Sequence, residues 1–330
     1  MMPAWGVCRQ KTLLTMKKIF LLLIAAIANG MCLMAQDNRV ATLQHESGIQ
    51  AFYGVNALGD AYNAAVDGDV ITLSAGEFNG CNITKSITVR GEGMDKTYLS
   101  CYDFYCTIPK GSEHALSLEG LRIKTNHCAE INGSTGAENV FVSKCKFVLG
   151  NQGLAFSQCN VTLIHSHIPE EVVKANTGSH VTCLNSIIKM LATSNNGNND
   201  GRYDIQNCVL LWSPSYNYTF KHSTIKNSVI LNRGYDFYLD NTCTSSHCLV
   251  KDISGFSDSW SVNSMDGVFA DDYHLTESAA ATYIGTDGTE VGIYGGMYPY
   301  DTTPDYPLVK KLDVVGSHKD GKLNIKINVE

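Results

Sequence analysis

Val181-Thr-Cys-Leu-Asn-Ser-Ile-Ile188, Tyr203-Asp-Ile-Gln-Asn-Cys-Val-Leu210 and Ser223-Thr-Ile-Lys-Asn-Ser-Val-Ile230 are one eight-residue pattern written three times. Four further copies flank them: Leu116-Ser-Leu-Glu-Gly-Leu-Arg-Ile123, Val140-Phe-Val-Ser-Lys-Cys-Lys-Phe147, Val161-Thr-Leu-Ile-His-Ser-His-Ile168 and Cys243-Thr-Ser-Ser-His-Cys-Leu-Val250. Their sixth positions fall at 121, 145, 166, 186, 208, 228 and 248, so the steps are 24, 21, 20, 22, 20 and 20 residues. A unit of this length cannot bury a core alone, and a near-constant step means that the units stack, one solenoid turn per copy.

Within a copy, positions one and three are mostly apolar or small, position five is Gly, Lys, His or Asn, and positions six and eight are small or aliphatic. The pattern predicts two short strands meeting at a bend. Asn185, Asn207 and Asn227 share the bend position, where asparagine tolerates a left-handed backbone, and a stacked ladder of their amides is expected. His165 and His247 hold the same position and stand in for the asparagine. Position six then points inward, so Cys145, Cys208 and Cys248 read as core filler alternating with serines rather than as disulfides.

The repeat resembles the right-handed parallel β-helix family, the pectate-lyase-like solenoid, and the resemblance implies an all-β fold. In that frame residues 69–260 form the parallel β-helix and residues 36–68 an N-terminal cap. Within the cap, Asn56 starts a capping helix carrying Leu58, Ala61, Tyr62 and Ala65, and Gly68 stops it. Residues 261–330 form the closing segment. Gly285-Thr-Asp-Gly-Thr-Glu-Val-Gly-Ile-Tyr-Gly-Gly296 resembles the C-terminal glycine-rich segment of secreted β-helix proteins. Leu308 to Val315 and Leu323 to Val329, joined through Lys319-Asp-Gly321, alternate as a terminal β-hairpin.

Residues 1–35 read as a signal peptide whose true start is Met16: Lys17 and Lys18 precede an apolar run from Ile19 to Ala28, and Leu33-Met34-Ala35 precedes the cleavage point. Export is the expectation, to the periplasm, the cell surface or the medium. The apolar run is too short for a transmembrane segment. At 44% hydrophobic and 17% charged residues the chain is globular rather than disordered. Losing Arg9, Lys11, Lys17 and Lys18 leaves 21 basic residues against 32 acidic ones, which argues against nucleic acid as a partner. Ten of twelve cysteines stay in the exported chain, and the pairing of Cys81, Cys101, Cys106 and Cys128 is open.

Position seven faces outward and reads Arg122, Lys146 and His167 in the early turns, with Lys124, Lys144 and Lys189 nearby. Stacked basic side chains in an acidic protein need a negative partner or the carboxylates of Glu119, Glu170 and Glu171 to balance them. A polysaccharide, acidic in character, is the expected partner. In the later turns position seven becomes Ile187, Val209, Val229 and Leu249, an apolar stripe that the tail or a long loop must cover. Trp212, Tyr218 and Tyr238 are the candidate platform for sugar rings, with Tyr218 and Tyr238 expected to stack from equal offsets. Asn196, Asn198, Asp200 and Asp204 echo the oxygen spacing of a calcium loop, although Asn207 replaces its bidentate acid. No other cofactor is implied.

Gly91-Glu-Gly-Met-Asp-Lys-Thr97 is similar to the opening of pectin methylesterases, but that family's later Gln-Ala-Val and Gln-Asp-Thr elements are missing. The ordered acidic motifs of polygalacturonases are missing as well. Two functions follow: noncatalytic polysaccharide binding or surface scaffolding, and the alternative of a polysaccharide lyase taking a proton through Arg122, Lys124 or Lys146.

Overall fold

The structure, a computed structural model, describes residues 38–306 except 47, 114, 194–199, 212–218, 232–237, 240 and 252–255, together with the strands at 309–314 and 325–329. Residues 1–35, expected to be a signal peptide, lie outside the described residues. The chain forms a parallel β-solenoid of about seven turns. One sheet runs through Val70–Leu73, Thr88–Arg90, Leu116–Glu119, Glu138–Ser143, Cys159–Ile164, His180–Leu184, Arg202–Gln206, Thr224–Lys226 and Thr244–Ser246, all parallel. These strands hold positions one to four of the repeat. A second sheet carries positions seven and eight, from Thr97–Cys101 through Arg122–Thr125, Lys146–Val148, His167–Ala175, Ile187–Thr193, Val209–Leu210 and Val229–Ile230 to Leu249–Lys251 and Trp260–Val262. A third face joins Phe104–Thr107, Cys128–Asn132 and Gly153–Ser157 to the far end of His167–Ala175.

At the N-terminal end the antiparallel pair Val40–His45 and Gly48–Tyr53 extends the first sheet. The helix Ala57–Ala64 follows and buries Leu58, Ala61 and Tyr62. Asn56 does not cap it through its side chain; its Oδ1 accepts from Asn79 Nδ2 at 2.7 Å instead. The helix also ends before Gly68, with Ala65 as its C-cap.

Every position-five residue of the repeat is left-handed: Gly120, Lys144, His165, Asn185, Asn207, Asn227 and His247 have φ between 41° and 62°. Position six explains how the bend is held. Ser166, Ser186 and Ser228 each donate through Oγ to the carbonyl two residues earlier, at 3.0, 2.8 and 2.8 Å. The thiols of Cys145, Cys208 and Cys248 make the same contact at 3.3, 3.3 and 3.4 Å. The serine oxygens also accept the backbone N–H of position six in the preceding turn, as Ser186 does from Ser166 N at 3.0 Å and Ser228 from Cys208 N at 3.1 Å. Position six is thus a hydrogen-bonded spine: it adds a second donor to a bend carbonyl that already accepts the position-five N–H of the preceding turn, as Leu184 O does from His165 N at 3.2 Å, and its serines give the preceding turn's position-six N–H an acceptor, a role beyond core filling. The three spine cysteines are free, and burial pushes their thiols up to about 12.

The expected amide ladder is replaced by another arrangement. Among the described residues Asn185 and Asn227 bond not to one another but to the segment after residue 264, which runs lengthwise back along the bends, while the buried amide of Asn207 between them has no hydrogen-bond partner. Asn227 Oδ1 accepts from Thr286 N at 2.9 Å. Asn185 Nδ2 donates to the carbonyls of Ile293 and Gly295, both at 2.8 Å. His165 Nε2 donates to Tyr298 O at 2.9 Å. Lys144 is buried and its Nζ meets Thr303 O, Asp301 at 3.2 Å and Asp305 at 2.7 Å. Part of the glycine-rich stretch follows from this contact: a side chain on Gly285 would sit 2.8 Å from Asn227 Cγ, whereas one on Gly295 would run into the strap's own Glu290 O before it met Asn207 Nδ2 at 2.8 Å.

The same strap covers the apolar stripe. Ile187, Val209, Val229 and Leu249 are buried with Val268, Leu275, Ala279, Val291 and Ile293 in a second core outside the solenoid. Part of the lid is the short helix Glu277–Thr282, whose N-terminal Ala279 N–H bonds to Thr276 Oγ1. Val309–Val314 and Ile325–Val329 pair antiparallel, as the terminal alternation predicts.

If position six is a spine and not only filler, Ser186→Ala should cost about 1–3 kcal/mol by leaving the Ser166 N–H without its acceptor and the Leu184 carbonyl with the His165 N–H alone. Ser186→Cys should recover most of that loss in urea unfolding.

Candidate functional site

Parallel register sets position seven of each turn directly over the next. Tyr98, Arg122, Lys146 and His167 form one outward column on adjacent strands, and Ile187, Val209, Val229, Leu249 and Trp260 continue it. Strands in a sheet lie about 4.8 Å apart, so like charges in such a column repel at close range. The strap's second core takes in the column from Ile187 onward and leaves the polar end partly open, with Tyr98, Arg122, Lys146 and His167 half-buried and Lys124 exposed.

The polar end is tuned by one acid that the sequence reading missed. Arg122 ion-pairs with Asp95, donates through Nε to Met94 O at 3.0 Å and lies over the Tyr98 ring, 4.7 Å from its centroid. Asp95 was hidden because it precedes the strand and reaches Arg122 only through the fold. The acids expected to balance the column are engaged elsewhere: Glu119 pairs with Arg90 at 2.7 Å, while Lys189 donates to the Glu170 carbonyl rather than to its carboxylate. Lys144, expected near the column, is buried under the strap. Among the described residues neither Lys124 nor Lys146 has a hydrogen-bond or ion-pair partner. His167 is held down at about 4, first by burial and then by Lys146, with Asp95 pulling the other way and Arg122 adding to the depression.

Of the other candidates, some lie outside the described residues and the rest are placed as follows. Trp212 and Tyr218 lie outside the described residues, and Tyr238 begins the short strand Tyr238–Leu239. The register opposes Tyr238 to Thr219, not to Tyr218. The spacing slips because the second sheet pairs residues 20 apart, Leu210 with Ile230, while this pair is 19 apart. Of the calcium-like loop, Asn196 and Asn198 lie outside the described residues. Asp200 Oδ1 accepts from Gly178 N at 2.6 Å. Asp204 is held on the first sheet between His180 Nε2 and Thr224 Oγ1, each at 2.6 Å. Among the described residues the one group of His, Cys and acidic side chains with ligand atoms in mutual reach is Asp103, His127 and Cys128, which excludes both aspartates.

The fold defines a parallel β-solenoid with a lengthwise strap and a half-open basic column. Comparison of the chain with family models, with curated proteins and with solved structures gave no match.

The depressed value of His167 sets a pH signature. Its ordinary value is 6.5 and its folded value about 4, so the unfolded chain takes the proton first. Native stability should therefore fall as the pH drops from about 6.5 towards 4, with no contribution from His167 above that window. His167→Gln should flatten this stretch of the Tm–pH profile; a profile unchanged by the substitution would show that His167 does not supply it.

Proposed function

We propose that the protein is an exported, noncatalytic β-helix that binds an acidic polysaccharide along the half-open column of Tyr98, Arg122, Lys146 and His167, with Lys124 beside it. The observation that carries the reading is the pair of lysines on this face, Lys124 and Lys146, without an ion-pair partner among the described residues, on a chain that is otherwise acidic. A polymer that repeats negative charge along its length meets a protein that repeats positive charge along its stack. Tyr98 at the end of the column adds a ring edge suited to a sugar face. The engagement of Arg122 with Asp95 and the Met94 carbonyl argues against Arg122 as the base of the lyase alternative, since a base must be free to approach its substrate.

Calorimetry or affinity electrophoresis with a polyuronate, a sulfated glycan and a neutral glycan tests this reading. Binding should be confined to the charged polymers and weaken steeply with salt. Lys124→Ala/Lys146→Ala should lower affinity about tenfold, equal to about 1.4 kcal/mol. Equal affinity for the neutral glycan, or a double variant that binds like the parent, would remove the column from the reading. Unsaturated oligosaccharides among the products would instead make the protein a lyase.

A further inference from the structure

At the corner between the second and third faces, two successive turns differ by one residue. Cys101 pairs with Thr125 on one side of the corner and Phe104 with Ala129 on the other. Tyr102 and Asp103 in one turn therefore lie against Asn126, His127 and Cys128 in the next. The extra residue is absorbed by a tight turn in which Asn126 N and His127 N both donate to Tyr102 O, at 3.2 and 3.1 Å. This turn brings the side chains of His127 and Cys128 onto one carboxylate: Asp103 Oδ1 lies 2.8 Å from His127 Nδ1 and 3.2 Å from Cys128 Sγ. Tyr102 stacks on the imidazole at 5.8 Å. Tyr105 Oη stands 3.6 Å from the thiol.

We propose that Asp103, His127 and Cys128 form a binding site for a divalent transition metal of the zinc class. The three ligand atoms, one oxygen, one nitrogen and one sulfur, lie within 4.8 Å of one another. That mixed set suits a borderline ion rather than calcium or magnesium, which take oxygen ligands. A tetrahedral zinc with bonds of about 2.0–2.1 Å to nitrogen and oxygen and 2.3 Å to sulfur holds its ligands roughly 3.3–3.6 Å apart. The two separations to Asp103 Oδ1 need to open by only about half an ångström, which side-chain rotation supplies. The ion takes the place of the protons now shared with the carboxylate, and binding releases the thiol proton. Cys128 is buried at the floor while His127 and Asp103 keep partial solvent access, which leaves an entry path and a fourth position for water. The thiol meets the carboxylate and not the imidazole, so the trio is not the thiol–imidazole pair of a nucleophilic cysteine.

The test uses the reduced, chelator-stripped protein. Calorimetric titration with Zn²⁺ should give one equivalent bound, and Co²⁺ should give the absorption of a tetrahedral thiolate complex. Zn²⁺ should raise the Tm of the parent. Cys128→Ser and His127→Gln should each weaken binding roughly tenfold or more and abolish the metal-dependent Tm rise, whereas Cys145→Ser on the spine should bind as the parent does. His127 lies at a partly exposed corner, so His127→Gln reports on the site even if Cys128→Ser folds poorly. Absence of stoichiometric uptake by the parent overturns the proposal. So does uptake that survives in His127→Gln and is lost in Cys81→Ser/Cys101→Ser.

Discussion

A left-handed backbone at the same position of every turn is the constraint on which this molecule depends. Outside glycine such a conformation costs roughly 1–2 kcal/mol per residue, and here it is occupied by lysine, histidine and asparagine. Two sets of contacts offset that cost. From inside, position six ties off the carbonyl before the bend. From outside, the strap supplies carbonyls to Asn185 and His165, a backbone N–H to Asn227 and two carboxylates to Lys144. Removing one partner of a buried charge such as Lys144 leaves it uncompensated, so the closing segment is an integral part of the core.

The solenoid was legible because the repeat is periodic at two levels at once. Alternation within eight residues assigns each side chain a face, and the steps of 20 to 24 residues assign each copy a turn. The left-handed bends, the buried sixth position and the need to cover Ile187, Val209, Val229 and Leu249 follow from that periodicity. What covers them was harder to read. The strap has no repeat of its own, and Gly285 is set by the close approach of Asn227, a constraint from another part of the chain, whereas Gly295 is set first by the strap's own Glu290 carbonyl. The amide ladder failed for a related reason: Asn185 and Asn227 are satisfied by a foreign backbone instead of by Asn207, whose buried amide is left without a partner, and sequence does not rank the two arrangements.

Sites were less legible than rungs. Register alone puts Arg122, Lys146 and His167 in one column, but whether such a column is free depends on acids such as Asp95 that no periodic rule connects to it. The Asp103, His127 and Cys128 trio is hidden still further, because it arises where one turn is longer than its neighbour by a single residue. A repeat pattern describes what turns share, whereas a site is built from what one turn has that the next does not. The outward column itself shows both cases: where it is aliphatic it serves the strap, and where it is basic and half-open it is available to a ligand.

The lengthwise strap also changes how the rod bears load. A plain solenoid is held by nearest-neighbour contacts, so each turn can detach from the end without consulting the rest. Here a single segment crosses the bends from Asn227 to Lys144 and is fastened to them one after another. Tension applied at the C-terminus opens the terminal hairpin of Val309–Val314 and Ile325–Val329 first, then falls on the Asp305 and Asp301 contacts with Lys144, then on Tyr298 and His165, and only later on Asn185 and Asn227. The strap would peel like a zipper at low force while the strand ladders, pulled in shear, stay closed, giving the protein a sacrificial seam ahead of its rigid body.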